Sequence, residues 1–159
     1  MSKIMSMDEA LDLIHDDAVI GSSGFVMAGT AESIFRALGE RYAKTGHPRN
    51  LTGVFCASQG DGVSLGYNHL AQDGLIGTII GGHFGLTPKL GTYMAENKCK
   101  AYNYPLGVMA ALFRDAIQQR PGEMTKVGLK TFVDPRLEGG KINSATTENQ
   151  VKVVEFEGE

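Results

Sequence analysis

Short apolar runs alternate with amphipathic stretches along most of the chain. Four apolar runs predict strands at residues 18–20, 51–56, 75–80 and 99–103. Apolar residues that recur at helical spacing predict helices at residues 7–14, 32–44, 66–72, 88–97 and 108–119. This alternation of strands and helices is typical of an α/β fold. We therefore expect a three-layer, open, mainly parallel sheet with helices on both faces.

Small and amide residues follow each predicted strand. They occur in four loops, at residues 21–29, 57–62, 81–85 and 103–107. In an open parallel sheet these loops all emerge at the carboxyl edge, which is where ligands bind. The loops therefore predict a binding site at one edge, although glycines that only turn tight corners would give the same pattern. Thr30 is expected to cap the helix that follows the first loop.

Composition narrows the class of protein. With 159 residues, 42% of them hydrophobic and 21% charged, the chain fits a single soluble domain over residues 1–159. A net charge of −3 without a cluster of Lys or Arg argues against a nucleic-acid partner. No apolar run approaches the ~20 residues of a membrane span, so we expect no membrane partner. The first residues lack the apolar core of a signal peptide, so the expected location is the cytoplasm.

The first glycine loop fits neither of the common nucleotide-binding patterns. Gly24 and Gly29 have the separation of a Walker A loop, but Thr30 and Ala31 stand where Lys and Ser or Thr are required. The spacing also differs from G-x-G-x-x-G. A carboxylate, a thioester oxyanion and a sugar phosphate remain as candidate ligands.

Titratable residues do not form a recognisable catalytic or metal-binding cluster. The four histidines are scattered and the two cysteines, Cys56 and Cys99, lack C-x-x-C spacing, so we expect no metal and two buried, reduced thiols. His69 and His83 lie near predicted loops and could reach a ligand, although a structural role is favoured for both. Asp61 is favoured as a turn residue rather than a catalytic acid.

The last forty residues differ from the rest of the chain. Residues 120–159 lack helical periodicity and predict an extended tail, with a weakly alternating strand at residues 151–156. A strand requires a partner, so the chain is expected to be truncated just past this strand. The tail is then expected to pack on the missing half of the protein.

Several segments, taken in order, resemble one family of enzymes. Residues 19–29 (VIGSSGFVMAG) resemble the N-terminal glycine loop of family I CoA-transferases. Further segments resemble the propionate/acetate (acyl-CoA:acetate) branch of that family, at residues 45–52, 59–62, 66–71, 81–90 and 131–136. The resemblance covers essentially the whole chain and corresponds to the N-terminal half of such an enzyme.

This resemblance implies a function for the chain. Enzymes of the family move CoA between carboxylic acids through a glutamate that forms an acyl anhydride and then a glutamyl-CoA thioester. That glutamate lies in the C-terminal half, as a second domain or a separate subunit, so no catalytic residue is expected here and Glu138 is rejected as nucleophile. The resemblance implies a CoA thioester as substrate, no bound cofactor, a short-chain carboxylate as second substrate and a homo-oligomer. The expected substrate-binding residues are Gly24, Phe25, Gly29, Gln59, Gly82, Asn103, Leu106 and Gly107.

One position departs from the family pattern. The family carries Pro-Gln-Gly where this chain has Pro105, Leu106 and Gly107, and the glutamine is expected to face the acyl carboxylate. Leucine donates no hydrogen bond, and loss of an oxyanion donor costs on the order of 10²–10³ in rate. Leu106 could instead enlarge an apolar acyl pocket.

Two alternatives from other classes stay open. The first is a non-catalytic interaction module whose exposed sheet edge pairs with another chain. The second is a sugar-phosphate isomerase, for which Lys89 is the one basic residue near the loops.

Overall fold

A computed structural model describes residues 4–155 and residue 158. All four strands are parallel, and the sheet has the order β1-β2-β3-β4. The strands are β1 (Val19–Ser22), β2 (Leu51–Phe55), β3 (Ile76–Gly81) and β4 (Lys100–Asn103). The helices are α1 (Met7–Leu11), α2 (Glu32–Thr45), α3 (Pro88–Ala95) and α4 (Leu106–Ile117), with a 3₁₀ helix at Gly66–Leu70 between β2 and β3.

Two apolar clusters on opposite faces make this a three-layer fold. The larger cluster includes Phe35 and Leu38 of α2 with Ile79 of β3, and the smaller one includes Tyr102 of β4 and Met109 of α4. The right-handed crossovers of consecutive parallel strands place α2, the 3₁₀ helix and α3 on the same face. Helix α4 covers the opposite face. The predicted three-layer α/β architecture with helices on both faces is confirmed.

Glycine at position 21 allows α4 to cross the sheet closely. A Cβ atom built on Gly21 would lie only 2.9 Å from Cε1 of Phe113. The Phe113 ring of α4 therefore packs directly against the backbone of β1. This contact fixes the start of the first loop relative to α4.

The beginning of α2 differs from the prediction. The N-cap residue is Ala31, and no side chain caps the helix there. The hydroxyl of Thr30 instead donates a hydrogen bond of 2.9 Å to the carbonyl of Val26, inside the first loop. The helix ends as expected, at Gly46, which adopts the left-handed conformation with φ of 72°.

The described part of the tail lacks regular secondary structure. The predicted strand at residues 151–156 is wrong for residues 151–155, and residue 156 lies outside the described residues. Residues 140–146 instead cover the edge of β4: Asn103 N–H donates to Gly140 O (2.8 Å), and Ile142 N–H donates to Ala101 O (3.1 Å). None of the helices in residues 4–155 is long and apolar enough to cross a membrane.

Candidate functional site

Four segments meet at the carboxyl edge of the sheet. They are the glycine loop (residues 22–31), the second loop (residues 56–65), the third loop (residues 82–87) and the first turn of α4. All eight residues expected to bind substrate lie in these segments or at the last residue of β4. The fold therefore places these residues at the carboxyl edge, where the loops after the predicted strands were expected to meet.

The glycine loop closes on itself through a short hairpin. Phe25 and Ala28 exchange two backbone hydrogen bonds of 3.0 Å. Gly24 has a φ of 131°, and a Cβ atom there would lie 3.0 Å from the carbonyl carbon of Gly29. In the described part of the chain, the N–H groups of Gly24 and Gly29 donate to no acceptor. The loop therefore holds two amide donors that have no partner among the described residues.

Val26, at the tip of this loop, is strained and firmly held. Its φ of 56° lies in the left-handed region, which costs a β-branched residue on the order of 1–3 kcal/mol. Its N–H donates to Ser58 O, and its carbonyl accepts from Gly60 N–H, both at 3.0 Å. Backbone bonds to the second loop thus keep the tip in its strained conformation.

Gln59 lies behind the glycine loop. Its side chain is completely buried, and Nε2 donates to the carbonyl oxygen (3.2 Å) and to Oγ (3.0 Å) of Ser22. Ser22 Oγ also lies 2.9 Å from the hydroxyl of Tyr67, whose pKa is raised by burial. Among the described residues, Gln59 Oε1 has no hydrogen-bond partner. The Nε2 of this amide therefore donates to the backbone and the side chain of Ser22.

Leu106 and Gly82 are in direct contact on the other side of the edge. A Cβ atom on Gly82 would lie 2.5 Å from the backbone oxygen of Cys56 and 2.9 Å from Cδ2 of Leu106, so a side chain there would clash with the backbone and displace Leu106. Leu106 remains 47% exposed. The N–H of Gly82 donates to Cys56 O at 3.0 Å, which joins the third loop to the end of β2. Leu106 therefore presents an apolar surface over a tightly packed backbone.

The first turn of α4 begins two residues earlier than predicted and includes Leu106 and Gly107. The first helical hydrogen bond runs from Met109 N–H to Pro105 O, so the preceding amides have no helical acceptor. Nothing lies within 4 Å of a Cβ atom placed on Gly107, which leaves this turn open. Asn103, just before the turn, donates its Nδ2 to Gly81 O at 2.9 Å.

The candidate acid and the histidines have structural partners or lie on the surface. Asp61 Oδ1 accepts from the N–H groups of three successive residues, Val63, Ser64 and Leu65, and these bonds lower its pKa to about 2. His69 Nε2 lies 2.7 Å from Oε1 of Glu32. The expected turn role of Asp61 and structural role of His69 match this geometry.

Sequence reasoning missed three residues that organise the edge: Ser22, Ser58 and Tyr67. Ser22 and Ser58 follow strands and were visible as small polar residues there. Ser22 contacts Tyr67, 45 positions away, and Ser58 contacts Leu86, 28 positions away, so no local pattern encodes these contacts. Tyr67 carried no distinguishing signal, since a buried tyrosine at helical spacing is typical of an ordinary core residue.

Metal and cavity geometry add no further site at this edge. In residues 4–155 and 158, no group of three His, Cys, Asp or Glu residues is placed to hold a metal ion. An open cavity of about 800 Å³ lies instead between α1 and the end of α2, lined by residues that precede β1 and β2, including His15, Asp16 and His47.

The family of this chain follows from its sequence. The coenzyme A transferase family model matches residues 4–159. The chain belongs to the coenzyme A transferase family, as the sequence resemblance had implied.

Curated relatives and solved structures agree with this family. The caffeate CoA-transferase of Acetobacterium woodii is 40% identical over 159 residues, which are all of this chain and 30% of that protein. The acetate CoA-transferase YdiF of Escherichia coli K12 is 38% identical over 157 residues, which are 97% of this chain and 29% of that protein.

The acyl-CoA transferase YdiF of E. coli O157:H7 has been solved as a thioester complex with CoA. It is 37% identical to this chain with a TM-score of 0.90, and the match covers 98% of this chain and 32% of that one. Its apoenzyme is 36% identical with a TM-score of 0.87 and matches 98% of this chain and 30% of that one. The chain thus spans about a third of the length of its relatives.

Proposed function

We propose that this chain is the N-terminal, non-nucleophile part of a short-chain acyl-CoA:carboxylate CoA-transferase and forms one wall of its acyl and CoA site. A glutamate outside this chain would attack the thioester carbonyl, release CoA thiolate and form a mixed anhydride. The thiolate would then attack the glutamyl carbonyl and release the first carboxylate. The second carboxylate would react with this glutamyl-CoA thioester, form a new anhydride and displace the thiolate, which would take the new acyl group.

The supporting observation is the set of amide donors at the carboxyl edge. The N–H groups of Gly24 and Gly29, and those of Leu106 and Gly107, lack intramolecular acceptors among the described residues. Backbone N–H groups stabilise carboxylates and the oxyanions that develop in acyl transfer, since they require no reorganisation during the reaction. These donors suit the carboxylate and the thioester oxyanion that the sequence left among the candidate ligands.

The remaining expected site residues suit different parts of the substrates. Phe25, 57% exposed, and Leu106 offer apolar surface to an acyl chain or to the pantetheine arm. Gly82 and Asn103 shape the backbone beneath Leu106, and Gln59 acts behind the glycine loop. The proposal retains a CoA thioester as substrate without a bound cofactor, and a homo-oligomeric enzyme in the cytoplasm.

The test is CoA exchange between propionyl-CoA and acetate. It is measured for this chain alone, for YdiF without the third that matches this chain, and for the two mixed. We expect exchange only in the mixture, because the nucleophile and the amide donors then come from different chains. Exchange by this chain alone would contradict its non-nucleophile role. A stable complex without exchange would favour a non-catalytic interaction module.

The interaction module has its own support in the apolar residues beyond α4. Ile117, at the end of α4, is 84% exposed, and Met124, Val127 and Leu137 are also exposed. Coverage of the β4 edge by residues 140–146 argues against pairing at that edge. Family membership argues against the sugar-phosphate isomerase.

A further inference from the structure

We propose that Gln59 is a positioning residue that fixes the start of the glycine loop, at Ser22, and, through the backbone on either side of it, the tip of the loop at Val26. Its importance for catalysis rests on the proposed function, whereas its effect on the loop is a property of this chain alone. The site as expected from the sequence treated Gln59 as a substrate contact. Its complete burial and its two hydrogen bonds to Ser22 support a different role.

The root of the glycine loop is fixed by the side chain of Gln59. Nε2 donates to both the carbonyl oxygen and Oγ of Ser22, the last residue of β1. Tyr67 completes the contact, because its hydroxyl lies 2.9 Å from the same Oγ and its N–H donates to Gln59 O at 3.0 Å. The end of β1 is therefore tied to the second loop and to the 3₁₀ helix through one buried amide.

The tip of the loop is fixed by the backbone on either side of Gln59. Ser58 O accepts the N–H of Val26, and Gly60 N–H donates to the carbonyl of Val26. Because Gln59 lies between these two residues, a displacement of its backbone would shift both bonds together. The intervening residues, including Gly24, are thus held between two anchors that share one residue.

Two features indicate that this arrangement is more than ordinary packing. Val26 adopts a left-handed φ of 56° that a β-branched residue avoids unless its surroundings impose it. Gln59 Oε1 is buried without a partner among the described residues, which is unfavourable for a neutral amide. An apolar side chain of similar size would avoid that penalty but would release Ser22.

Hydrogen exchange by NMR on the 159-residue chain tests the positioning role directly. Gln59→Met preserves volume and removes the amide, and Gln72→Met is the matched control. Gln72 also uses Nε2 to bond backbone carbonyls, those of Gly39 (3.1 Å) and His69 (2.8 Å), away from the glycine loop. We expect Gln59→Met to accelerate exchange of the Val26 and Gly60 amides by about tenfold, as loss of one buried hydrogen bond implies, while Gln72→Met leaves them unchanged.

A second experiment measures CoA exchange in the active mixture of this chain with the truncated YdiF. We expect Gln59→Met to lower kcat by about tenfold or more with little change in KM, because misplaced amides lose transition-state contacts before they lose binding contacts. If wild-type chain gives no exchange activity in that mixture, the proposed function fails and the hydrogen-exchange result still decides the positioning role.

Unchanged hydrogen exchange of the Val26 and Gly60 amides in Gln59→Met would overturn the proposal. Equal acceleration of these amides in Gln72→Met would overturn it as well. If Gln59→Met does not fold, Ser22→Ala takes its place. That variant removes the contacts of Oγ with Gln59 and Tyr67 but keeps the bond from Gln59 Nε2 to the carbonyl of residue 22. It should therefore accelerate hydrogen exchange of the same two amides by a smaller factor, and no acceleration would again overturn the proposal.

Discussion

Oε1 of Glu32 lies 2.7 Å from Nε2 of His69, and Oε2 of the same carboxylate accepts the N–H of Gly66 at 2.7 Å. Glu32 is the first residue of α2, and the other two residues belong to the 3₁₀ helix. A single half-buried carboxylate therefore joins the helix after the glycine loop to the segment after the second loop. The contact keeps α2 and the 3₁₀ helix, which follow two of the edge segments, in a fixed relation.

We expect Glu32→Ala to destabilise the fold by about 1–3 kcal/mol, since it leaves a backbone donor and an imidazole without their acceptor. The measurement is the free energy of unfolding in urea. Glu40→Ala, on an exposed position of α2, is the control and should change stability by less than about 0.5 kcal/mol. Equal stability of the two variants would show that the carboxylate does not hold the two segments together.

Gly24 should not tolerate a side chain. Its φ of 131° and the 3.0 Å approach of a Cβ atom to Gly29 C and Thr30 N leave backbone atoms in the way. We expect Gly24→Ala to destabilise the protein by about 1–3 kcal/mol and to accelerate hydrogen exchange in the glycine loop. Gly91→Ala, where nothing lies within 4 Å, should be neutral or stabilising by about 0.5–1 kcal/mol. A Gly24→Ala variant as stable as Gly91→Ala would contradict this geometry.

Thr146 should be essential for holding residues 140–146 against the edge of β4. Its buried hydroxyl accepts Ala101 N–H at 2.7 Å and donates its one hydrogen to Asn143 Oδ1 or to Ala101 O. Thr146→Val keeps the shape but leaves Ala101 N–H without its acceptor, whereas Ala101 O still accepts the N–H of Ile142. We therefore expect a loss of about 1–3 kcal/mol in the free energy of unfolding. Thr147→Val, at the next and exposed position, is the control and should have little effect. Comparable losses in both variants would rule out a specific role for the hydroxyl.

Asp61 should make the stability of the fold depend on pH. Three N–H donors lower its pKa in the folded chain from 3.8 to about 2. Its contribution is therefore complete above pH 3.8 and is lost as the pH falls toward 2. We expect wild type to lose stability relative to Asp61→Asn across this range, because Asn keeps an acceptor oxygen and does not titrate. An NMR titration of the Asp61 carboxyl carbon checks the value, and a midpoint at or above 3.8 would contradict it.

Leu106 should limit the rate of CoA exchange with small carboxylic acids. Its side chain packs against Gly82 beside the open amides of α4 and donates no hydrogen bond. In the active mixture with truncated YdiF, we expect Leu106→Gln to raise kcat with acetate by about tenfold or more, because the amide supplies a donor to the oxyanion. Leu106→Met keeps an apolar side chain and should give no gain. A rate that falls in Leu106→Gln would indicate that the apolar surface itself is required.

Particular elements show how far the sequence could predict the structure. The strands and helices of the first 117 residues were found within a few residues, because buried faces impose regular apolar spacing. The start of α4 was placed two residues late, since Leu106 and Gly107 carry no helix-start signal apart from the preceding Pro105. The strand at residues 151–155 was wrong because weak alternation does not make a strand without a partner, and residues 140–146 already cover β4.

The sequence alone determined the α/β layers, the edge at which the loops meet and the family to which the chain belongs. These depend on periodicity and on ordered local motifs, both of which are properties of the linear chain. Only the tertiary structure decided that Gln59 reaches Ser22, that Leu106 rests on Gly82 and that Glu32 binds His69. Ser22 and Gln59, like Glu32 and His69, are 37 positions apart in sequence. Such hydrogen bonds form only after parallel strands have brought their loops to one edge, so no local pattern of residues specifies them.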